Sequence, residues 1–196
     1  MQDTLSKQLA FLHEIDRLKT IIRRSPILDR SRRENSAEHS WHLAMYAIVL
    51  AEHANEPVNV DRVIKMLLIH DLVEIYAGDT WLYDTTASTD QRDKEAKAAQ
   101  KLFGMLPADQ AGEFSALWQE FEHRRSPEAA YAASIDALQP LANHLLSGEP
   151  DADAPARQDV LNRKRHIDVS SHTLWQLAES IIEESTEKGL YLRTPA

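Results

Sequence analysis

The chain has 196 residues, a formal charge of −9 and no cysteine. That length suits one domain with a sizeable core, and the missing thiol excludes disulfides, cysteine nucleophiles and sulfur-ligated zinc. The negative charge excludes non-specific nucleic-acid binding, which needs clustered cations to neutralise phosphates.

Five glycines, 43% apolar residues and abundant Ala, Leu, Glu and Lys favour helices over glycine-punctuated strands. Leu5, Leu9, Leu12, Ile15, Leu18 and Ile22 recur at helical spacing and predict an amphipathic first helix that Pro26 stops. A polar loop follows, in which Arg23, Arg24, Arg30, Arg32 and Arg33 crowd together. It reads either as a salt-bridged surface or as an anion clamp, because arginine forks suit phosphate oxygens. Asn35-Ser36-Ala37-Glu38 forms a capping-box pattern that opens a second helix carrying His39 and His42 and running to about residue 55.

Asn59 or Asp61 opens a third helix, which carries His70-Asp71 and Glu74 and ends before Gly78. Residues 79–90 read as a loop. A fourth helix is predicted over about 91–103 and a fifth over about 107–123. Ser126-Pro127-Glu128 starts a sixth helix, with Ser as N-cap and Pro at the first helical position, and this helix carries Asp136 to about residue 146. An acidic loop over 148–155 precedes a last helix, in one or two pieces, that ends near Lys188-Gly189. The expectation is one all-α domain of six to eight helices, spanning 1–196, with a motif-bearing core over about 5–146 and a C-terminal helical extension over about 155–189.

No apolar run approaches the ~20 residues of a membrane-spanning helix. Met1-Gln2-Asp3-Thr4 also lacks the basic and apolar regions of a signal peptide. The expected setting is cytoplasmic, with no membrane partner.

The run Val63-Ile64-Lys65-Met66-Leu67-Leu68-Ile69 is apolar enough to be core, and it ends in His70-Asp71. A buried helix seldom carries such a pair without partners for both. A first-row divalent metal satisfies imidazole nitrogen and carboxylate oxygen together. His39, His70-Asp71 and Asp136 fall on three predicted helices, so two imidazoles and two carboxylates can meet at one cation in a bundle core. Such a set leaves coordination positions for water and substrate, as a catalytic site requires.

These residues resemble the ligands of the HD superfamily of metal-dependent phosphohydrolases. Glu34-Asn35-Ser36-Ala37-Glu38-His39-Ser40, the stretch from His70 to Asp79, and Ser126-Pro127-Glu128-Ala129 leading to Asp136-Ala137-Leu138 resemble the branch that contains the 5'-deoxynucleotidases. The resemblance implies an HD-domain helical bundle, a homodimer, and hydrolysis of small phosphorylated substrates, (deoxy)nucleoside 5'-monophosphates foremost. It implies His39, His70, Asp71 and Asp136 as metal ligands, with manganese, cobalt, iron, nickel, copper, zinc or magnesium as the ion. Glu74, in the HD-x-x-E pattern, would be the catalytic carboxylate. Asp79 would face the sugar or the leaving oxygen, and Arg24 would orient the phosphate. Ser25 follows Arg24 where that branch has Trp, which leaves Trp81 and Tyr83 as the nearest aromatic substitutes. Glu122 lies in the segment that corresponds to a substrate-facing loop. A different phosphoester, or a non-catalytic module that binds a ligand beside a structural metal, are the alternatives.

Overall fold

The structure, a computed structural model, describes residues 2–78 and 88–193, with only the backbone of 88–90. Asp79, Trp81 and Tyr83 lie outside the described residues. The architecture is all-α. Helices α1 (Gln2–Ile15), α2 (Ser36–Leu50), α3 (Val60–Ile69), α4 (Glu74–Ala77), α5 (Ser88–Phe103), α6 (Ala108–His123), α7 (Pro127–Ser147), α8 (Arg157–Lys164), α9 (Ile167–Ser170) and α10 (His172–Glu187) accompany one small hairpin, β1 (Ile22–Pro26) with β2 (Arg33–Asn35). Apart from the single turns α4 and α9 this is eight helices, within the expected range. No helix among the described residues is long and apolar enough to cross a membrane.

Helix α7 organises the core. It buries Tyr131, Ala132, Ile135, Leu138 and Leu141, and it packs against α2, α3, α6, α9, α10 and β1. A helix apolar on so many sides must be surrounded. Its start follows the sequence signal: Ser126 Oγ accepts from Ala129 N (3.1 Å), and Pro127 takes the first helical position. Pro140 lies inside the helix and has no N–H, so the Asp136 carbonyl four residues earlier loses its usual partner. The irregularity falls beside a predicted ligand.

The capping box of α2 is present in full. Asn35 Oδ1 accepts from Glu38 N (3.0 Å), and Glu38 Oε2 accepts from Asn35 N (3.2 Å). Arg32 also clamps the Glu38 carboxylate at 2.7 and 2.6 Å, which lowers the Glu38 pKa. This anchoring matters because His39 sits in the first turn of α2.

Two elements differ from the sequence expectation. The first helix stops at Ile15 and tightens into a 3-10 turn over Asp16–Thr20. Ile22–Pro26 is then a strand paired antiparallel with Arg33–Asn35. The predicted helical stripe therefore ends early, and the predicted arginine-rich loop is largely a hairpin. The β-branched pair Ile21-Ile22 and the restriction that Pro26 places on Ser25 favour extended backbone. Of the predicted stripe, Leu5, Leu9 and Leu12 are exposed and Leu18 is buried, while Phe11, outside the stripe, is also buried. The second difference is at His70. Regular helix ends at Ile69, and His70–Val73 forms a 3-10 turn before α4. A 3-10 stretch within a helical run commonly marks a functional site. Gly78 ends the segment with φ +80, the left-handed conformation glycine adopts without a Cβ penalty.

Replacing Asn35 by Ala removes one half of the box that holds the start of α2. The expected loss is about 1 kcal/mol of unfolding free energy. Urea titration of the metal-stripped variant should show a lower midpoint at an unchanged slope.

Candidate metal centre

The hairpin, the first turn of α2, the 3-10 turn after α3 and the middle of α7 converge on one cluster. His39 comes from α2, His70 and Asp71 from the turn, and Asp136 from α7. Ligand atoms of His39, His70 and Asp136 lie within 4.8 Å of one another. His39 Nε2 is 3.0 Å from Asp136 Oδ1 and 4.0 Å from Asp71 Oδ2. His70 Nε2 is 3.0 Å from Asp71 Oδ1 and 3.8 Å from Asp136 Oδ1. The four predicted ligands are thus brought together, Asp136 half-buried and the other three buried.

The second nitrogen of each ring fixes its tautomer. His70 Nδ1–H donates to the Leu67 carbonyl (2.8 Å), which leaves a lone pair on Nε2. His39 Nδ1–H donates to Gln139 Oε1 (3.1 Å), with Glu34 Oε2 at 3.5 Å. The Gln139 amide is oriented by its other contacts, since Nε2 donates to Glu34 Oε1 (3.4 Å) and to His42 Nδ1 (3.2 Å). His42 accordingly sits behind Gln139 as its acceptor. Both Nε2 lone pairs therefore point at carboxylate oxygens, and acceptors face acceptors. His70 Nε2 is fully buried with no hydrogen-bond partner. Such an arrangement calls for positive charge at its centre, and imidazole with carboxylate is a donor set for a first-row divalent cation.

The titration tendencies carry the same message. Burial alone would lower the pKa of His39, but its contacts with Asp136 and Glu34 raise it. Burial opposes protonation of His70 too, yet the charges of Asp71 and Asp136 hold its pKa up at about 9. Burial would raise Asp136, and the two histidines hold it well below the ordinary carboxylate value. In the metal-free protein, protons occupy the place of the cation.

Glu74 opens α4, three residues after Asp71, and its Oε2 accepts from Ser36 Oγ (2.7 Å). The buried Ser36 thereby orients the carboxylate. On β1 the side chains alternate. Arg23 is turned inward, its NH1 3.1 Å from Asp71 Oδ2 and its Nε 3.6 Å from Glu34 Oε2. Arg24, the arginine expected to orient phosphate, points to the exposed side, and Ser25 is half-buried. The strand register, invisible while this segment reads as helix and loop, is what separates the two arginines. Glu122 lies in the last turn of α6 at the surface. Desolvation of its carboxyl and the charge of Glu95 push its pKa up, against Arg124 and His70. Asp79 lies outside the described residues.

Sequence reasoning named Arg23 only within the arginine cluster and Ser36 only within the capping and family motifs, and it did not name Gln139. Gln139 follows Asp136 by one helical turn, which is the signal that could have found it. Nothing local distinguishes Arg23 from Arg24.

A model of the HD domain family matches residues 15–175. The chain is 31% identical over 140 residues to the 5'-deoxynucleotidase YfbR of Escherichia coli, covering 67% of this chain and 69% of that one. It is 28% identical over 129 residues to the human 5'-deoxynucleotidase HDDC2, covering 65% of this chain; the match spans 62% of the human protein's length. Among solved structures, a predicted metal-dependent phosphohydrolase from Magnetospirillum magnetotacticum superposes with a TM-score of 0.89 at 44% identity, over 96% of this chain and 98% of that one.

A pH dependence of stability follows from the histidines. His70 has a folded-state pKa raised above its unfolded value. Its contribution to the metal-free protein is therefore fully present below about pH 6.5 and is lost as pH rises through about 9. Urea titrations of metal-stripped protein from about pH 6 to about pH 9 should show stability falling with pH. The fall should be smaller in His70→Gln, and added manganese should remove most of it by replacing the protons.

Proposed function

Because this chain belongs to the HD domain family, we propose that it is a metal-dependent phosphomonoesterase that releases phosphate from nucleoside 5'-monophosphates, deoxynucleotides foremost. The observation that carries the reading is the pair of tautomer-fixed imidazoles facing the Asp71 and Asp136 carboxylates around one point. The kinship with two 5'-deoxynucleotidases and a metal-dependent phosphohydrolase supports it.

His39, His70, Asp71 and Asp136 would hold the ion, of which manganese, cobalt, iron, nickel, copper, zinc and magnesium are the candidates. When bound, a divalent ion supplies positive charge for the phosphate oxygens and lowers the pKa of water toward neutrality. Glu74, oriented by Ser36, takes the proton of the attacking water. Arg23 holds Asp71 in place and keeps a guanidinium beside the pocket, where it stabilises charge on the equatorial oxygens. Arg24, one residue on, draws an anion toward the pocket mouth from the exposed side of β1. Asp79 gives a proton to the departing sugar oxygen. Ser25 and Glu122 border the sugar and base, and the raised pKa of Glu122 suits a carboxyl that hydrogen-bonds a hydroxyl.

A second reading keeps the site and changes the phosphoester, and the small polar Ser25 on β1, where the 5'-deoxynucleotidase branch has Trp, favours it. The reaction belongs in the cytoplasm, where nucleotide substrates are found. The whole chain reads as one HD domain acting as a homodimer; the exposed Trp41, Met45, Ile48 and Val49, which share a face of α2, support that assembly.

Phosphate release from a panel of nucleoside and deoxynucleoside 5'-monophosphates, with metals added back to stripped protein, tests the reading. Metal-dependent turnover is expected, and no turnover with any metal overturns it. Glu74→Gln should lower kcat by about 10²–10⁴ with the metal retained. His70→Gln should lose both metal and activity.

A further inference from the structure

Gln139 lies on α7, fully buried, with His39 on one side of its amide and Glu34 and His42 on the other. The oxygen and nitrogen of an amide are alike in size, so packing does not choose which way round it sits. Hydrogen bonds choose. With Oε1 toward His39, Nε2 donates one hydrogen to Glu34 Oε1 (3.4 Å) and the other to His42 Nδ1 (3.2 Å). Turned round, the amide oxygen would meet the Glu34 carboxylate, acceptor against acceptor, in the interior. Its N–H would meet His39 Nδ1, and the His39 proton would have to sit on Nε2 instead. Nε2 is the nitrogen that faces Asp136 and Asp71. The orientation of one buried amide thus decides whether His39 offers the cluster a lone pair or an N–H.

Glu34 and His42 share this task unequally. Glu34 makes the longer of the two bonds, and its other oxygen lies 3.6 Å from Arg23 Nε. His42 makes the shorter one, and its half-buried ring is seated by neighbours on its own helix. Trp41 stacks on it at 5.9 Å, and Tyr46 meets it edge-on at 4.9 Å. Nδ1 accepts only when the ring proton is on Nε2, so His42 has a defined tautomer as well. Without that acceptor, one N–H of Gln139 is left unpaired in a buried place, and the amide loses part of its preference for the orientation that serves His39.

We infer that His42 is a positioning residue of the metal centre: through Gln139 it keeps the proton of His39 on Nδ1 and the Nε2 lone pair free for a divalent ion. It acts through the amide and not as a ligand. The inference rests on the reading of His39 as a metal ligand. Partners of this kind orient a ligand ring and tune its basicity.

The test uses zinc as the probe, because it is diamagnetic and takes imidazole and carboxylate donors. Wild type, His42→Phe, His42→Asn and Gln139→Leu are titrated with zinc against a competing chelator. The ring nitrogens of His39 are followed by NMR of the histidine-labelled, zinc-loaded proteins. A ring that only packs and a ring that orients the amide rank the two His42 variants in opposite order. Phe keeps an aromatic ring against Trp41 and Tyr46 but has no acceptor. Asn loses the ring but can place Oδ1 where Nδ1 stands. His42→Phe should bind zinc about tenfold more weakly, with the His39 Nδ1–H signal shifted or lost, and Gln139→Leu at least as weakly. His42→Asn should return to within about threefold of wild type and restore the signal. Gln139→Leu alters a fully buried position, so the two variants at half-buried His42 decide the matter if it fails to fold. His42→Phe with wild-type zinc affinity overturns the inference, and so does His42→Asn that binds as weakly as His42→Phe. Zinc-loaded wild type with the His39 proton on Nε2 overturns it as well. The underlying readings fail differently. Wild type that binds no divalent ion defeats the metal reading. Wild type that binds zinc, with the expected order of variants but no nucleotide turnover with any metal, defeats the substrate reading alone.

Discussion

Two imidazole lone pairs are held against two carboxylates in the interior of a helical bundle, and much of the structure exists to keep them there. Neither ring can turn away. The Leu67 carbonyl fixes one through Nδ1, and Gln139, itself oriented by Glu34 and His42, fixes the other. Acceptors facing acceptors in a low-dielectric interior repel, so the cluster is stable only with positive charge at its centre. Protons provide it in the metal-free chain, and a divalent ion fits the same donors. The demand propagates outward: Arg23 is turned in to meet Asp71 and Glu34, and the hairpin exists in the register that turns it.

The backbone is irregular where the chemistry sits. Helical geometry gives way to a 3-10 turn at His70–Val73, Pro140 removes the partner of the Asp136 carbonyl, and Arg124 closes α6 in a left-handed conformation. Each departure costs some stability, and each lies beside a group with a polar task. The regular helices around them supply the compensation. Helix α7 is lined with Ala129, Ala132, Ala133 and Ala137, small side chains that let α2, α3 and α6 approach closely enough to bring His39, His70 and Asp136 within ligand distance.

The cluster is assembled from distant parts of the chain. Glu34, Asp71, the two imidazoles and Arg23 come from segments that precede α4, and Asp136 comes from α7.

The sequence by itself determined the helical class and most of the ligand cluster. The capping box at Asn35–Glu38, the Ser126-Pro127 start of α7 and the apolar run before His70-Asp71 are local patterns, and local patterns survive folding because they act within one or two turns. The fold class needed only periodicity. What the sequence hid depended on contacts between distant segments. Ile22–Pro26 fits a helical stripe until it pairs with Arg33–Asn35, and that pairing alone decides that Arg23 faces the cluster while Arg24 faces outward. Gln139 acquires its role only when α2 lies against α7. Spacing along the chain can nominate residues for a site, but strand register and helix packing determine which side chains reach it.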